Sequence, residues 1–285
     1  MKTLVTGGSG YLGTHLTRLL NADTASRRNG FDMGDPDTLS RIEDYDVVVH
    51  LAAMVDKDPS RDREIFAANV TGTINVLERV KENAVLIFAS TREVYGRFAD
   101  NFQVVPESCP TLYAGQSPLE WSKLVAERYV EYYAAKRHFR SCILRLGTVY
   151  APPTPETVPN FVGYYAEMIN LGERFALPGS GTAVRDLLHI DDLAEACRAF
   201  VDSVIRHGLY NVGGGAANAS DLNGLIARME SVSGLQAVLD REAGLPEPVP
   251  HRYISDLTLI SQELEWQPKV ELDAGLRTLF SPQPY

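Results

Sequence analysis

The run Gly7-Gly8-Ser9-Gly10-Tyr11-Leu12-Gly13 sets three glycines at the spacing G-x-x-G-x-x-G, after a β-rich apolar segment and before one of helical period. Each glycine has its own task in such a turn. Gly7 lets the chain reverse tightly, Gly10 lets backbone approach a pyrophosphate, and Gly13 lets helix pack on strand. The helix start, at Tyr11 and Leu12, turns its amide N–H groups toward the phosphate charge. The chemistry this spacing serves is dinucleotide binding. In the usual arrangement an acidic residue ends the second strand and binds the adenosine ribose. Here a short strand over about 22–26 ends in Arg27-Arg28. A guanidinium there pairs with a 2′-phosphate, which favours NADP slightly over NAD. The competing reading is a solvated basic pair at a strand end.

Such a turn works only on a framework of alternating strands and helices. Residues 2–6 read as a strand and 11–20 as a helix with Leu12, Leu16, Leu19 and Leu20 on one face. Residues 46–52 read as a central strand, because Val47-Val48-Val49 is apolar on both faces. A helix follows over 64–81, with Ile65, Ala68, Val76, Leu77 and Val80 inward, then a strand over 84–89. A loop leads to a helix over 119–136 and a strand over 141–146. This alternation is that of an α/β protein with a parallel, doubly wound sheet. Pro152, Pro153, Pro155 and Pro159 then interrupt regular structure and mark a boundary. The expected division is a dinucleotide-binding domain over 1–150, to which about 183–212 returns, and a smaller domain formed mainly by 151–285.

Composition narrows the partners. The chain has 285 residues, 27 Lys and Arg against 37 Asp and Glu, and a net charge of -10. A nucleic-acid binder needs basic residues to displace phosphate counterions, and an anionic membrane surface also selects basic segments. Neither partner is expected. Cys109, Cys142 and Cys197 are too scattered for a disulfide framework or a zinc site, so no metal is expected. With no secretory segment and no long apolar run, a reduced, soluble, cytoplasmic protein is the expectation.

Further motifs lie in order along the chain. Asp32 sits in the stretch 31–35, and His50-Leu51-Ala52-Ala53 ends the third strand. Asn69-Val70-Thr71-Gly72-Thr73 lies on a helix. Ser90-Thr91 is followed by Val94-Tyr95-Gly96, and Ser122-Lys123 by Glu127. Later come Gly179-Ser180-Gly181, Arg185-Asp186, Asp191-Asp192 and Tyr210-Asn211-Val212-Gly213. With these, nearly the whole chain resembles the extended short-chain dehydrogenase/reductases, within them the NAD(P)-dependent epimerase/dehydratase family acting on nucleotide sugars. The resemblance implies a Rossmann domain under a smaller substrate domain. It implies that Asp32 contacts adenine and that Leu51, Ala52 and Ala53 run beneath the cofactor. It implies that Lys123 positions the cofactor ribose, and that Thr91 bonds a substrate hydroxyl. Arg185, and more weakly Arg252, would pair with the sugar nucleotide's diphosphate. Thr148 stands where many relatives carry a substrate-contacting Asn.

The resemblance also exposes a gap. Family chemistry oxidises a sugar hydroxyl, and the usual base is a Tyr four residues before the Lys, on the same helix face. Four residues before Lys123 stands Leu119, which cannot accept a proton. Three explanations compete. Glu93 resembles the proton-removing Glu of the dehydratases' Thr-Asp-Glu segment, although the Asp position is Arg92 here. A phenol from elsewhere, Tyr113 or Tyr150, is the second. The third is a protein that binds cofactor and sugar without hydride transfer. Reduction of a non-sugar carbonyl is a remoter enzyme reading. The helices 64–81 and 119–136 match those pairing two subunits in many relatives. Tyr129, Tyr132 and Tyr133 would suit a homodimer contact or packing within the chain.

Overall fold

In a computed structural model the structure describes residues 1–281. Strand β1 (Thr3–Thr6) leads through the glycine turn into helix α1 (Tyr11–Leu19), and β2 (Asp23–Ala25) follows. Strand β3 (Val47–His50) precedes α2 (Asp62–Phe66) and α3 (Gly72–Leu77). Then come β4 (Val85–Thr91), α4 (Pro118–Arg137), β5 (Arg140–Leu146), β6 (Thr148–Tyr150) and α5 (Phe161–Leu171). The remainder holds β7 (Arg174–Phe175), β8 (Val184–His189), α6 (Ile190–Asp202), β9 (His207–Val212), β10 (Ala219–Asp221) and α7 (Leu222–Ser233). It closes with β11 (Val238–Leu239), β12 (Arg252–Tyr253), α8 (Thr258–Leu264) and α9 (Leu272–Arg277).

One six-stranded sheet runs in the order β2-β1-β3-β4-β5-β9, every neighbour pair parallel. Alternation along each strand feeds two separate cores, as a period of two requires. Val5, Val47, Val49, Ile87 and Leu144 pack toward α1 and α6. Leu4, Val48, Leu86, Phe88 and Ile143 pack toward α3 and α4. The expected α/β, Rossmann-type architecture is what the chain adopts. Strand β9, far along the sequence, completes the sheet against β5. A smaller sheet, β10-β8-β12 with β6 also on β8, packs with α5, α7 and α9 around Tyr150, Tyr165, Leu187, Leu225 and Leu276.

The element expected over 64–81 differs in a useful way. It begins at Asp62, ends at Leu77, and carries a π turn over Ala67–Thr71 between α2 and α3. Such turns cluster at functional sites because they re-aim side chains. This one presents Asn69. Its amide donates to the Met54 carbonyl (3.1 Å) and the Ser122 hydroxyl (2.9 Å), while its oxygen accepts the Met54 N–H (2.7 Å). One buried side chain therefore joins the segment after β3 to the first turns of α4. Cys142 is a fully buried thiol in the core, as its apolar setting suggests. Tyr133 is buried and donates to Glu78 (3.0 Å), so it packs within the chain; Tyr129 and Tyr132 stay exposed. Among the described residues no helix is long and apolar enough to cross a membrane.

Candidate active site

Strand order reverses between β1 and β3: the chain steps to one side for β2, then to the other for β3 and β4. Ligands of open α/β sheets lie outside the carboxyl ends of the strands at such a switch point. The glycine turn and the segment Leu51–Ala53 meet there. Gly7 has φ +72°, a left-handed conformation, and its N–H donates to the Ala25 carbonyl (2.8 Å). A Cβ on Gly7 would stand 2.8 Å from the Ala52 nitrogen, and one on Gly13 would collide with the Gly7 carbonyl. Gly10 is different, since a Cβ there would meet only the Gly7 oxygen, at 3.2 Å. Its hydrogen fronts open space, where a side chain would obstruct an approaching phosphate. Gly10 also caps α1 without any side-chain acceptor, so the first helical N–H groups are available to an anion. These features fit a dinucleotide pyrophosphate.

Other residues expected around the cofactor are placed as follows. The Tyr11 hydroxyl donates to the Ala151 carbonyl (2.9 Å) and accepts the Ala151 N–H (2.8 Å), so this phenol fastens α1 to the segment after β6. Leu12 is half-buried against the core. Arg27 and Arg28 are exposed on a single 3₁₀ turn after β2, and neither makes an ion pair among the described residues. The exposed Asp32 carboxylate accepts the Gly34 N–H (2.9 Å). Ala52 donates its N–H to the Thr6 hydroxyl (3.3 Å). Beneath it, His50 lies fully buried between the hydroxyls of Thr6 (2.6 Å) and Thr73 (3.0 Å). Burial, with the Lys123 charge nearby, pushes the His50 imidazole down to about 3, so it is neutral.

Helix α4 starts in a capping box. Glu120 accepts the Ser117 N–H (2.5 Å) and Pro118 occupies the first turn. Three turns of one face then carry the chemistry. Leu119 is 6% exposed, and its carbonyl accepts the Ser122 hydroxyl (2.8 Å). Lys123 donates to the Ala89 carbonyl (2.8 Å) with its ammonium 4.8 Å from the Phe88 ring centre. Burial lowers its pKa to about 8 against the opposing pull of Glu127. Glu127 is fully buried and accepts from Ser90 (2.5 Å) and from Arg145 twice (3.0 and 2.7 Å).

At the end of β4, Thr91 accepts the Glu93 N–H (3.2 Å), which leaves its O–H as a donor. Glu93 binds Lys57 (2.6 Å) and Arg92 (3.3 Å). Burial pushes its carboxyl upward, but Arg92 and Lys57 outweigh that and hold it at about 2. Lys57 also reaches Glu120 (2.9 Å). Lys57 and Glu120 were not among the residues expected from sequence. Only Glu120, placed next to Leu119, carried a local signal, the capping box. Tyr113 is exposed and stacks on Trp121, and Tyr150 is buried against Gly275 and His189.

Arg185 on β8 is 5% exposed, and its guanidinium donates to the carbonyls of Val184 (2.7 Å), Pro250 (2.8 Å) and His251 (3.0 Å). Half-buried Arg252 donates its side chain to Gln103 (3.4 Å) and its backbone N–H to Asp100 (3.0 Å). Thr148 is buried on β6 opposite Leu187. Asp192, from the Asp191-Asp192 motif, accepts the Lys269 and Val270 N–H groups (2.9 and 3.0 Å) and so fixes a loop.

Comparison with known proteins agrees with this geometry. The model of the NAD dependent epimerase/dehydratase family matches residues 3–213. A CDP-paratose 2-epimerase of Salmonella typhi is 27% identical, covering 98% of both chains. A dTDP-glucose 4,6-dehydratase of Mycobacterium tuberculosis is 30% identical, covering 98% of this chain and 92% of its own. Among solved structures, a UDP-glucuronic acid 4-epimerase from Bacillus cereus, in complex with UDP-glucuronic acid and NAD, superposes with a TM-score of 0.82 at 25% identity, covering 98% of each chain. With its switch-point glycine turn and its lysine beside the end of β4, the chain belongs to the NAD-dependent epimerase/dehydratase family of extended short-chain dehydrogenase/reductases.

Proposed function

We propose that this protein is an NAD(P)-dependent epimerase or dehydratase of a nucleotide sugar, with a carboxylate in the place of the absent phenol. The observation that carries the reading is Lys123. It is held at the Ala89 carbonyl, one helical turn from Leu119, beside the strand that ends in Thr91 and leads to Glu93. Gly7, Gly10, Gly13, Leu51, Ala52, Ala53 and Lys123 would hold the cofactor, with Arg27 and Arg28 tilting the choice toward NADP. When bound, the cofactor accepts a hydride from a sugar carbon and returns it. The Thr91 O–H would bond the sugar hydroxyl. Glu93, ionised at any working pH, would take a proton from the sugar once Lys57 shifts its hold from Glu93 to Glu120. Arg185 and Arg252 would face the diphosphate and Thr148 the sugar. Two chains would pair through the helices that carry Tyr129 and Tyr132.

A second reading has an observation in its favour. Glu93 is bound by two cations and held at about 2, far below the pKa that suits a general base near neutrality. A protein that binds cofactor and nucleotide sugar without turnover would carry such a carboxylate. The deciding experiment incubates purified protein and NAD(P) with a panel of nucleotide sugars, followed by mass spectrometry. Loss of water, or deuterium uptake from solvent, supports the enzyme; its abolition in Glu93→Gln with cofactor affinity intact assigns the base. Binding with no exchange or conversion supports the second reading.

A further inference from the structure

Arg92 stands where the dehydratases' Thr-Asp-Glu segment has an acid, and its surroundings leave it incompletely satisfied. It is 7% exposed and lies over the Tyr253 ring, its guanidinium carbon 5.2 Å from the ring centre. One amino group makes a 3.3 Å bond to Glu93, a carboxylate already held more closely by Lys57. The other, Nη1, is buried with no hydrogen-bond partner. Arg145 shows what a self-sufficient buried guanidinium looks like in this chain, with two bonds to one carboxylate. A buried donor without a partner costs about 1–3 kcal/mol, more when charged. Such a group, bonded through its other amino group to Glu93, points to something that completes it.

The neighbouring charge has the same sign. Arg185 is buried beside Arg92 and spends its donors on three neutral carbonyls. Burial and the Arg92 charge together push it down to about 10. The adjacent Asp186 is fully buried and committed through Oδ2 to the N–H groups of Gly215 (3.2 Å) and Ser255 (3.0 Å). Burial raises its pKa, which weakens it as a counter-ion. Glu93 is thus the one carboxylate that hydrogen-bonds Arg92 among the described residues, and Lys57 competes for it. An anion reaching Nη1 would give the guanidinium the charge-assisted bond it lacks.

From the unpartnered Nη1 of Arg92 we propose, building on the nucleotide-sugar reading above, that Arg92 recognises a carboxylate on the sugar ring, so the substrate is an acidic sugar nucleotide. A nucleotide sugar offers two places for anionic groups, the diphosphate and the sugar itself. Arg92 is bonded to Glu93 (3.3 Å), the residue assigned above to a proton of the sugar, and on that assignment it belongs to the sugar end.

The test is calorimetric and needs no turnover. Protein loaded with NAD(P) is titrated with UDP, UDP-glucose and UDP-glucuronic acid, and with GDP, GDP-mannose and GDP-mannuronic acid. The expected result is that, for the nucleotide that binds, the acidic sugar binds at least about tenfold tighter than its neutral counterpart. In Arg92→Gln that preference disappears while UDP or GDP alone binds as before. Arg92→Lys keeps part of it. Equal or tighter binding of the neutral sugar to wild type overturns the proposal, whether or not Arg92→Gln folds. So does an Arg92→Gln variant that weakens the free nucleoside diphosphate as much as the sugars, because the arginine then serves the diphosphate. Failure of every nucleotide sugar to bind, dTDP-glucose and CDP-glucose included, removes the underlying function as well, a distinct outcome.

Discussion

Arg145 and Glu127 form a two-bond ion pair between β5 and α4, 3% and 0% exposed, with Ser90 donating a third bond to the same carboxylate. The pair holds α4 against β4 and β5 one turn beyond Lys123, so it sets the height of that lysine above the sheet. A buried pair stabilises little relative to an apolar replacement, but breaking one side leaves an uncompensated charge. Glu127→Ala should therefore destabilise the fold by about 3–5 kcal/mol, read as a lower urea midpoint. Adding Arg145→Met to that variant should restore part of the loss. An additive loss in the double variant would contradict this account.

Lys123 gives a signed pH dependence. Burial lowers its folded pKa to about 8 from the ordinary 10.5. Between these values the unfolded chain binds more protons than the folded one, so this group makes stability rise with pH across that window. Below pH 8 the buried ammonium opposes folding. Lys123→Met should accordingly raise the urea midpoint at pH 7, and its gain over wild type should shrink between pH 8 and 10.5. A gain independent of pH would reject the assignment.

Gly10 and Gly13 should separate binding from folding. Only Gly13 is packed against the Gly7 carbonyl so closely that a Cβ collides. Gly13→Ala should lower the melting temperature by several degrees. Gly10, with φ −85°, tolerates alanine in its backbone. Gly10→Ala should keep the wild-type melting curve yet bind NAD(P) at least about tenfold more weakly, because the methyl occupies phosphate space. Unchanged affinity in Gly10→Ala would place the dinucleotide elsewhere.

Arg27 and Arg28 have no ion-pair partner among the described residues, so their charges remain for a ligand. A charge-assisted hydrogen bond contributes about 1.5–3 kcal/mol, so replacing both with alanine should weaken NADP at least about tenfold. NAD should bind within about twofold of wild type, since it lacks the 2′-phosphate. Equal losses for both dinucleotides would remove the preference inferred from these residues.

Local patterns carried the glycine turn, the order of strands and helices, and the absence of a phenol before Lys123. Each depends on residues within a few positions of one another, where φ, period and helical spacing dictate the outcome. Leu119 is legible as a departure because the family resemblance sets a Tyr four residues before the Lys, one turn back on the same helix face. The π turn that aims Asn69 was not legible, since its composition is that of an ordinary helix and its reward lies in bonds to Met54 and Ser122. The hold of Lys57 on Glu93 and Glu120 was hidden for the same reason: the lysine lies 36 residues from the first in a loop without periodicity. Whether a charge is paired, shared or left over depends on which distant segments the sheet brings together and how much water they exclude. The sequence alone thus determined the glycine turn and the leucine four residues before Lys123, and tertiary packing decided which charges Lys57, Arg92, Glu93 and Glu120 share.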